Sequence, residues 1–239
     1  MAFEGVIFDF DGVVVDSEHI AVDLDRELLA AHGVEVTGRQ LAAMFIGVAE
    51  DVHDDELQRL ARGRITEEDR EWYDAEFRRR YAEVRAMGGI EDVLRRVTQP
   101  KAIASNNRRE WIRSTLRRLS LDGYFGDRIC AWDDVEAGKP EPDVYIGAAA
   151  RLGIDPTCCA AVEDSSTGMR AARAAGMSVF GLVGPYFPEA DIVALGGVPL
   201  ERLGDVQKVI AHSAHSHAPL LRRPVDTAIE LPGVSGDRM

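Results

Sequence analysis

The sequence predicts an α/β fold: a parallel sheet covered by helices on both faces, with a helical segment inserted after the first strand. Three observations carry this reading. From about residue 90 to 185, short apolar runs alternate with helix-length segments. The runs are apolar throughout rather than alternating, as strands buried on both faces are. Residues 17–88 break that rhythm with a very charged, helix-patterned stretch.

The elements follow in order. Residues 4–10 (EGVIFDF) read as a buried strand running into Gly12. Four similar runs are residues 101–105 (KAIAS), 128–132 (RICAW), 160–163 (AAVE) and 178–183 (SVFGLV). Helices are expected over 109–119, 142–152 and 166–175, each leading into a turn near Gly123, Gly153 or Gly176. Within the insert, Thr66 and Asp69 resemble a capping box opening a long helix. Its Trp72, Tyr73, Phe77 and Tyr81 have the spacing of an apolar face packed inside the insert. Hinges are expected near 14–16 and 87–90. The organisation is therefore a core of residues 1–16 and 89–211, a helical cap of 17–88, and a loosely attached tail of 212–239. The tail holds three prolines and the histidines His212, His215 and His217, and reads as a solvated segment rather than a metal site.

Composition bounds the function. The chain has 239 residues, 46% of them hydrophobic, which is enough for a real core. No apolar run approaches the roughly 18–20 residues that span a bilayer. The start, MAFEGVIFDFDG, lacks the basic region of a secretory leader. A net charge of -13 disfavours nucleic acid and anionic membrane as partners. Three cysteines, two of them adjacent, make no disulfide framework. They suit a reducing compartment, so a cytoplasmic protein is expected.

The chemistry-bearing residues sit at strand ends, where open parallel sheets place their ligands. Asp9 and Asp11, in Asp9-Phe10-Asp11-Gly12, leave the first strand together. Close carboxylates repel, so such a pair needs a cation or a shared proton; a solvated turn is the competing reading. Ser105 and Asn106 close the second run ahead of a helix, as a phosphate cradle or an ordinary N-cap. Lys139 sits in Gly138-Lys139-Pro140-Glu141-Pro142-Asp143, held before a helix. Glu163 and Asp164 end the fourth run, as oxygen ligands for Mg²⁺ or with Asp164 as a helix cap. Four such features at one end of one sheet are hard to attribute to coincidence.

In that order these motifs resemble the haloacid dehalogenase superfamily, in its subgroup with a helical cap after the first strand. The resemblance covers residues 4–185 and is closest in flavour to the phosphatase and β-phosphoglucomutase branch. It implies a Rossmann-like three-layer core with a parallel sheet and an all-helical cap. It also implies a Mg²⁺-dependent phosphatase acting on a small phosphorylated metabolite, of the sugar or polyol phosphate class. In that scheme Asp9 forms an aspartyl-phosphate and Asp11 acts first as acid and then as base. Ser105, Asn106 and Lys139 hold the phosphoryl group. Mg²⁺ is held by Asp9, by Asp11 through its backbone carbonyl, and by Asp164, with Glu163 behind them. The chain is expected to be a monomer or homodimer.

Departures from the family pattern separate the alternatives. The second aspartate, Asp11, argues against dehalogenation. The lysines are Lys101, Lys139 and Lys208 alone, so the cap lacks the lysine of the phosphonate-cleaving relatives. A β-phosphoglucomutase-like hexose-phosphate mutase carries a KGVSR-like cap loop. Here Ile46 and Glu50 stand at its lysine and arginine positions, around Gly47 and Val48. Ile46, Gly47 and Val48 are therefore the expected cap substrate loop, of apolar character. A non-catalytic phospholigand-binding protein is the third alternative.

Overall fold

The computed structural model of the chain describes residues 3–45 and 50–212. The expected cap loop, Ile46 to Val48, lies outside the described residues, as does the tail beyond His212. Strands β1 (Gly5–Phe8), β2 (Lys101–Ala104), β3 (Ile129–Cys130), β4 (Cys159–Glu163), β5 (Ser178–Leu182) and β6 (Val198–Leu200) form one sheet. Their order is β3-β2-β1-β4-β5-β6, and every pairing is parallel. Side chains alternate between two cores. Val6, Phe8, Ile103 and Val162 face one, whereas Ile7, Ala102, Ala104 and Ala161 face the other. Helices α5 (Ile90–Arg96), α6 (Arg109–Arg118) and α11 (Val206–His212) supply the first core. Helices α8 (Asp143–Leu152), α9 (Ser166–Ala174) and α10 (Glu189–Ala194) supply the second.

Among the described residues, four helices lie between β1 and α5: α1 (Glu18–Ala31), α2 (Gly38–Phe45), α3 (Glu50–Leu60) and α4 (Glu67–Tyr81). They enclose a third cluster built on Val22, Leu28, Leu29, Leu41, Phe45, Leu57, Ala61 and Ile65. Helix α4 opens on the expected box. The Thr66 hydroxyl accepts from the Asp69 amide, and the Asp69 carboxylate accepts from the Thr66 amide. The two chain crossings that join this segment to the sheet are laced together. Asp16 N–H donates to Arg85 O at 2.9 Å, and Met87 N–H donates to Val14 O at 2.9 Å. Ile90, expected in the second hinge, already belongs to α5.

Three expectations are corrected. The turn after α6 is made by Ser120, in the left-handed region at φ 59°, while Gly123 lies inside a short helix, α7 (Asp122–Phe125). The aromatic residues of α4 do not all pack within the insert. Trp72 is exposed, whereas Phe77 stacks on Trp111 of α6. His212 ends α11 rather than opening the tail.

Candidate active site

The sheet order reverses direction between β1 and β4: the chain leaves β1 for β2 and β3 on one side, then returns to build β4, β5 and β6 on the other. Ligands of open α/β sheets bind at such a switch point, beyond the carboxyl ends of the strands. Here the register sets Phe8 beside Val162, and Asp9 N–H donates to Val162 O at 2.9 Å. Asp9 therefore leaves the sheet next to Glu163 and Asp164. One oxygen from each of these three buried carboxylates lies within 4.8 Å of the others.

Lys139 reaches into this group. Its Nζ stands 2.7 Å from Asp9 Oδ1 and 2.6 Å from Glu163 Oε1, and its side chain is 4% exposed. Burial drives the Asp9 pKa upward, and the Glu163 charge adds to it, against the opposing pull of Lys139. Burial by itself would lower the Lys139 pKa, but the charges of Asp9 and Glu163 and their hydrogen bonds raise it. The ammonium is therefore a fixed positive charge.

Glu163 is fully consumed by donors. Oε1 accepts from Lys139 and from the Tyr145 hydroxyl of α8. Oε2 accepts from the Asp164 amide and from the Ser165 amide and hydroxyl. A carboxylate has about four lone-pair sites, so little remains for a further ligand. Glycine at 168 makes this arrangement possible. A Cβ there would stand 1.8 Å from Glu163 Oε1. Helix α9 is capped by Ser165, whose hydroxyl accepts from the Gly168 amide, and not by Asp164.

The loop carrying Lys139 is clasped by Asn106. The Asn106 Oδ1 accepts from Lys139 N–H at 2.7 Å, and its Nδ2 donates to Lys139 O at 3.2 Å. The Asn106 side chain is thus committed to the lysine, which leaves its backbone N–H as its offering to an anion. The preceding Gly138 packs on Trp132 and Asn106, where a Cβ would stand 2.4 Å from the indole. Buried Ser105, at the end of β2, accepts from Asn107 N–H at 3.0 Å. Its own O–H remains a donor.

Asp11 stands apart from the three-carboxylate group. Its Oδ1 accepts from the Ser17 hydroxyl at 2.7 Å and from the Tyr81 hydroxyl at 2.8 Å. Its Oδ2 accepts from Asn107 Nδ2 at 3.3 Å. Burial and the Asp11 charge raise the Tyr81 pKa well above its usual value, so the phenol stays a donor. Sequence reasoning missed Tyr145, Tyr81, Ser17 and Asn107 as members of this site. Only Tyr145 left a local signal, as a phenol six residues after Lys139 on an otherwise apolar helix face.

The site has the donor chemistry of a hard divalent cation. Three buried carboxylates gather beside one ammonium, and the oxygens of Asp9 and Asp164 lie close together in that setting.

The family model of haloacid dehalogenase-like hydrolases matches residues 3–176. The chain is 31% identical over 183 residues to YhcW of Bacillus subtilis, a provisionally named phosphatase, covering 73% of this chain and 80% of that protein. It is 39% identical over 79 residues to the fructose-1-phosphate phosphatase YqaB of Escherichia coli, covering 33% of this chain and 42% of that protein. Among solved structures, a hydrolase of the same family from Deinococcus radiodurans, with bound phosphate and sodium, superposes with a TM-score of 0.75. It is 30% identical, and the match covers 89% of this chain and 97% of that one.

Proposed function

The chain belongs to the haloacid dehalogenase-like hydrolases, and on that premise we propose that it hydrolyses phosphoric monoesters of small metabolites, of the sugar or polyol phosphate class. The observation that carries this reading is the meeting of Asp9, Lys139, Glu163 and Asp164 at the switch point, beside a separately held Asp11. Asp9 is the nucleophile: its carboxylate attacks phosphorus, the ester P–O bond breaks, and an aspartyl-phosphate forms. Asp11 gives its proton to the departing oxygen and then takes one from the water that cleaves the acyl phosphate. Lys139, the Ser105 hydroxyl and the Asn106 backbone N–H hold the phosphoryl oxygens. Glu163 fixes the lysine rather than the metal, because its oxygens are already occupied.

Mg²⁺ is the cation this donor set suits, held by the Asp9 and Asp164 carboxylates and the Asp11 carbonyl. When bound it supplies positive charge to the transferring group. A dianionic phosphate would otherwise meet more carboxylates than cations. The helical segment 17–88 is a cap whose seating excludes water from the site.

Fructose 1-phosphate is the substrate of one relative, which supports a sugar phosphate here. The mutase alternative needs a second phosphate site in the cap, and the cap sequence offers no lysine for it. The test is phosphate release across a panel of phosphate esters, with and without Mg²⁺. Turnover that requires Mg²⁺ and falls at least about 10⁴-fold in Asp9→Asn is expected. Full activity in that variant, or no turnover of any ester by the native protein, would sink the proposal. Conversion of β-glucose 1-phosphate to glucose 6-phosphate without net phosphate release would favour the mutase.

A further inference from the structure

We propose that Tyr81 is a positioning residue for Asp11, fixing the orientation in which the Asp11 carboxyl delivers its proton to the leaving oxygen. This rests on the phosphomonoesterase reading above and adds to it a residue contributed by the inserted helices. Tyr81 ends α4 and is 5% exposed. Its ring is wedged between Phe77, 5.5 Å away and stacked, and Trp111, 5.7 Å away. An aromatic wedge of this kind needs no hydroxyl, and phenylalanine would fill it equally well. The hydroxyl instead donates to Asp11 Oδ1 at 2.8 Å, across 70 residues of sequence.

Three further contacts close the arrangement. Asn107 Nδ2 donates both to the Tyr81 oxygen at 3.1 Å and to Asp11 Oδ2 at 3.3 Å. Ser17 Oγ donates to Asp11 Oδ1 at 2.7 Å. The two carboxyl oxygens are thereby made unequal. Oδ1 receives two short hydrogen bonds from hydroxyls, as the carbonyl oxygen of a carboxylic acid does. Oδ2 receives one longer bond, and is the oxygen left to carry the proton and release it. As the ester P–O bond breaks, that proton passes from Oδ2 to the leaving oxygen, and Asp11 is left as the carboxylate that serves the second step. Without the Tyr81 hydroxyl, Oδ1 keeps one hydroxyl donor and Oδ2 its longer bond from Asn107, so the carboxyl is held less firmly about its Cβ–Cγ bond.

A leaving group that needs protonation distinguishes this role from plain packing. The constant kcat/KM reports the step in which the leaving group departs, so it is compared for phenyl phosphate and p-nitrophenyl phosphate. Nitrophenolate departs readily without a proton, whereas phenolate departs much less readily. General acid catalysis supplies ~10²–10⁴-fold, and a disoriented acid forfeits part of that. Tyr81→Phe should therefore lower kcat/KM about tenfold for phenyl phosphate and less than about threefold for p-nitrophenyl phosphate, with thermal melting confirming a folded protein. Ser17→Ala, which removes the other donor to the same oxygen, should give the same selective loss, and it decides the matter if Tyr81→Phe does not fold. Phe77→Leu loosens the same stack and keeps the hydroxyl, so the ratio between the two esters should stay as in the native protein. Equal losses on both esters, no loss on either, or a ratio shifted equally by Phe77→Leu would overturn the proposal while leaving the phosphatase reading intact. A native protein inert toward both esters would overturn the phosphatase reading, and this one with it.

Discussion

Replacing Gly168 by alanine tests whether the buried Glu163 carboxylate organises the site. The new methyl would start 1.8 Å from Oε1, 2.1 Å from Cδ and 2.3 Å from Oε2. The carboxylate cannot retreat without breaking bonds, since it is fully buried and held by Lys139, Tyr145 and Ser165. Either it swings away and leaves Lys139 half-paired, or α9 moves off β4. Breaking a buried ion pair costs about 3–5 kcal/mol. Alanine favours a helix interior over glycine by about 1 kcal/mol, which offsets part of the loss. The net expectation is about 2–4 kcal/mol of destabilisation, within the roughly 5–15 kcal/mol that a folded domain holds. Urea denaturation followed by circular dichroism reads this as a lower midpoint, and phosphate release should fall with it as Lys139 shifts. Gly123→Ala is the control: it lies in α7 and a Cβ there meets nothing within 4 Å, so its midpoint should hold or rise. A Gly168→Ala protein with the native midpoint and native activity would refute the reasoning.

Three further outcomes are expected. Lys139→Met removes the ammonium between Asp9 and Glu163, and it should lower stability by about 3–5 kcal/mol as well as abolish turnover; an unchanged urea midpoint would contradict the pairing. Mg²⁺ at about 100 times its Kd should stabilise the fold by ~2.7 kcal/mol, read as a higher melting temperature that Asp164→Asn removes, and an equal shift in that variant would place the ion elsewhere. His53 of α3 bonds the buried Asp25 at 3.1 Å. Burial alone would lower its pKa, but the hydrogen bond and charge of Asp25, with help from Asp54, raise it above 6.5. A raised folded value means that this pair stabilises fully below pH 6.5 and fades as pH climbs through the folded value. The urea midpoint of His53→Gln should thus trail the native protein most at pH 5–6 and approach it at higher pH; a gap that widened with pH would contradict this.

The sheet was legible because its strands are short, unbroken apolar runs that end in polar residues. That is the pattern a doubly covered parallel sheet imposes. β6 left no such trace: it is three residues at the sheet edge, and one of them is Pro199, which cannot donate to a ladder. The turn after α6 was assigned to the nearest glycine, but Ser120 takes the left-handed conformation itself. Asp9, Lys139, Glu163 and Asp164 could be singled out because each follows a readable strand or precedes a readable helix. The shell around Asp11 could not. Tyr81 has the i, i+4 spacing of a packing residue, and it does stack on Phe77. Nothing local encodes that its hydroxyl meets a carboxylate 70 positions away, or that Asn107 reaches Asp11 across 96.

The position of β1 at the middle of the sheet has a consequence for how the chain is made. Its two neighbours are β2, which ends at Ala104, and β4, which ends at Glu163. At ribosomal speeds of about 5–20 residues per second, β1 waits roughly 8–30 s after synthesis for its second partner. Throughout that interval an apolar strand is exposed along one edge. The charged helices that follow it are the first part of the chain able to shield it. Asp9 is likewise made well before its companions Lys139, Glu163 and Asp164, which follow it by 130 to 155 residues.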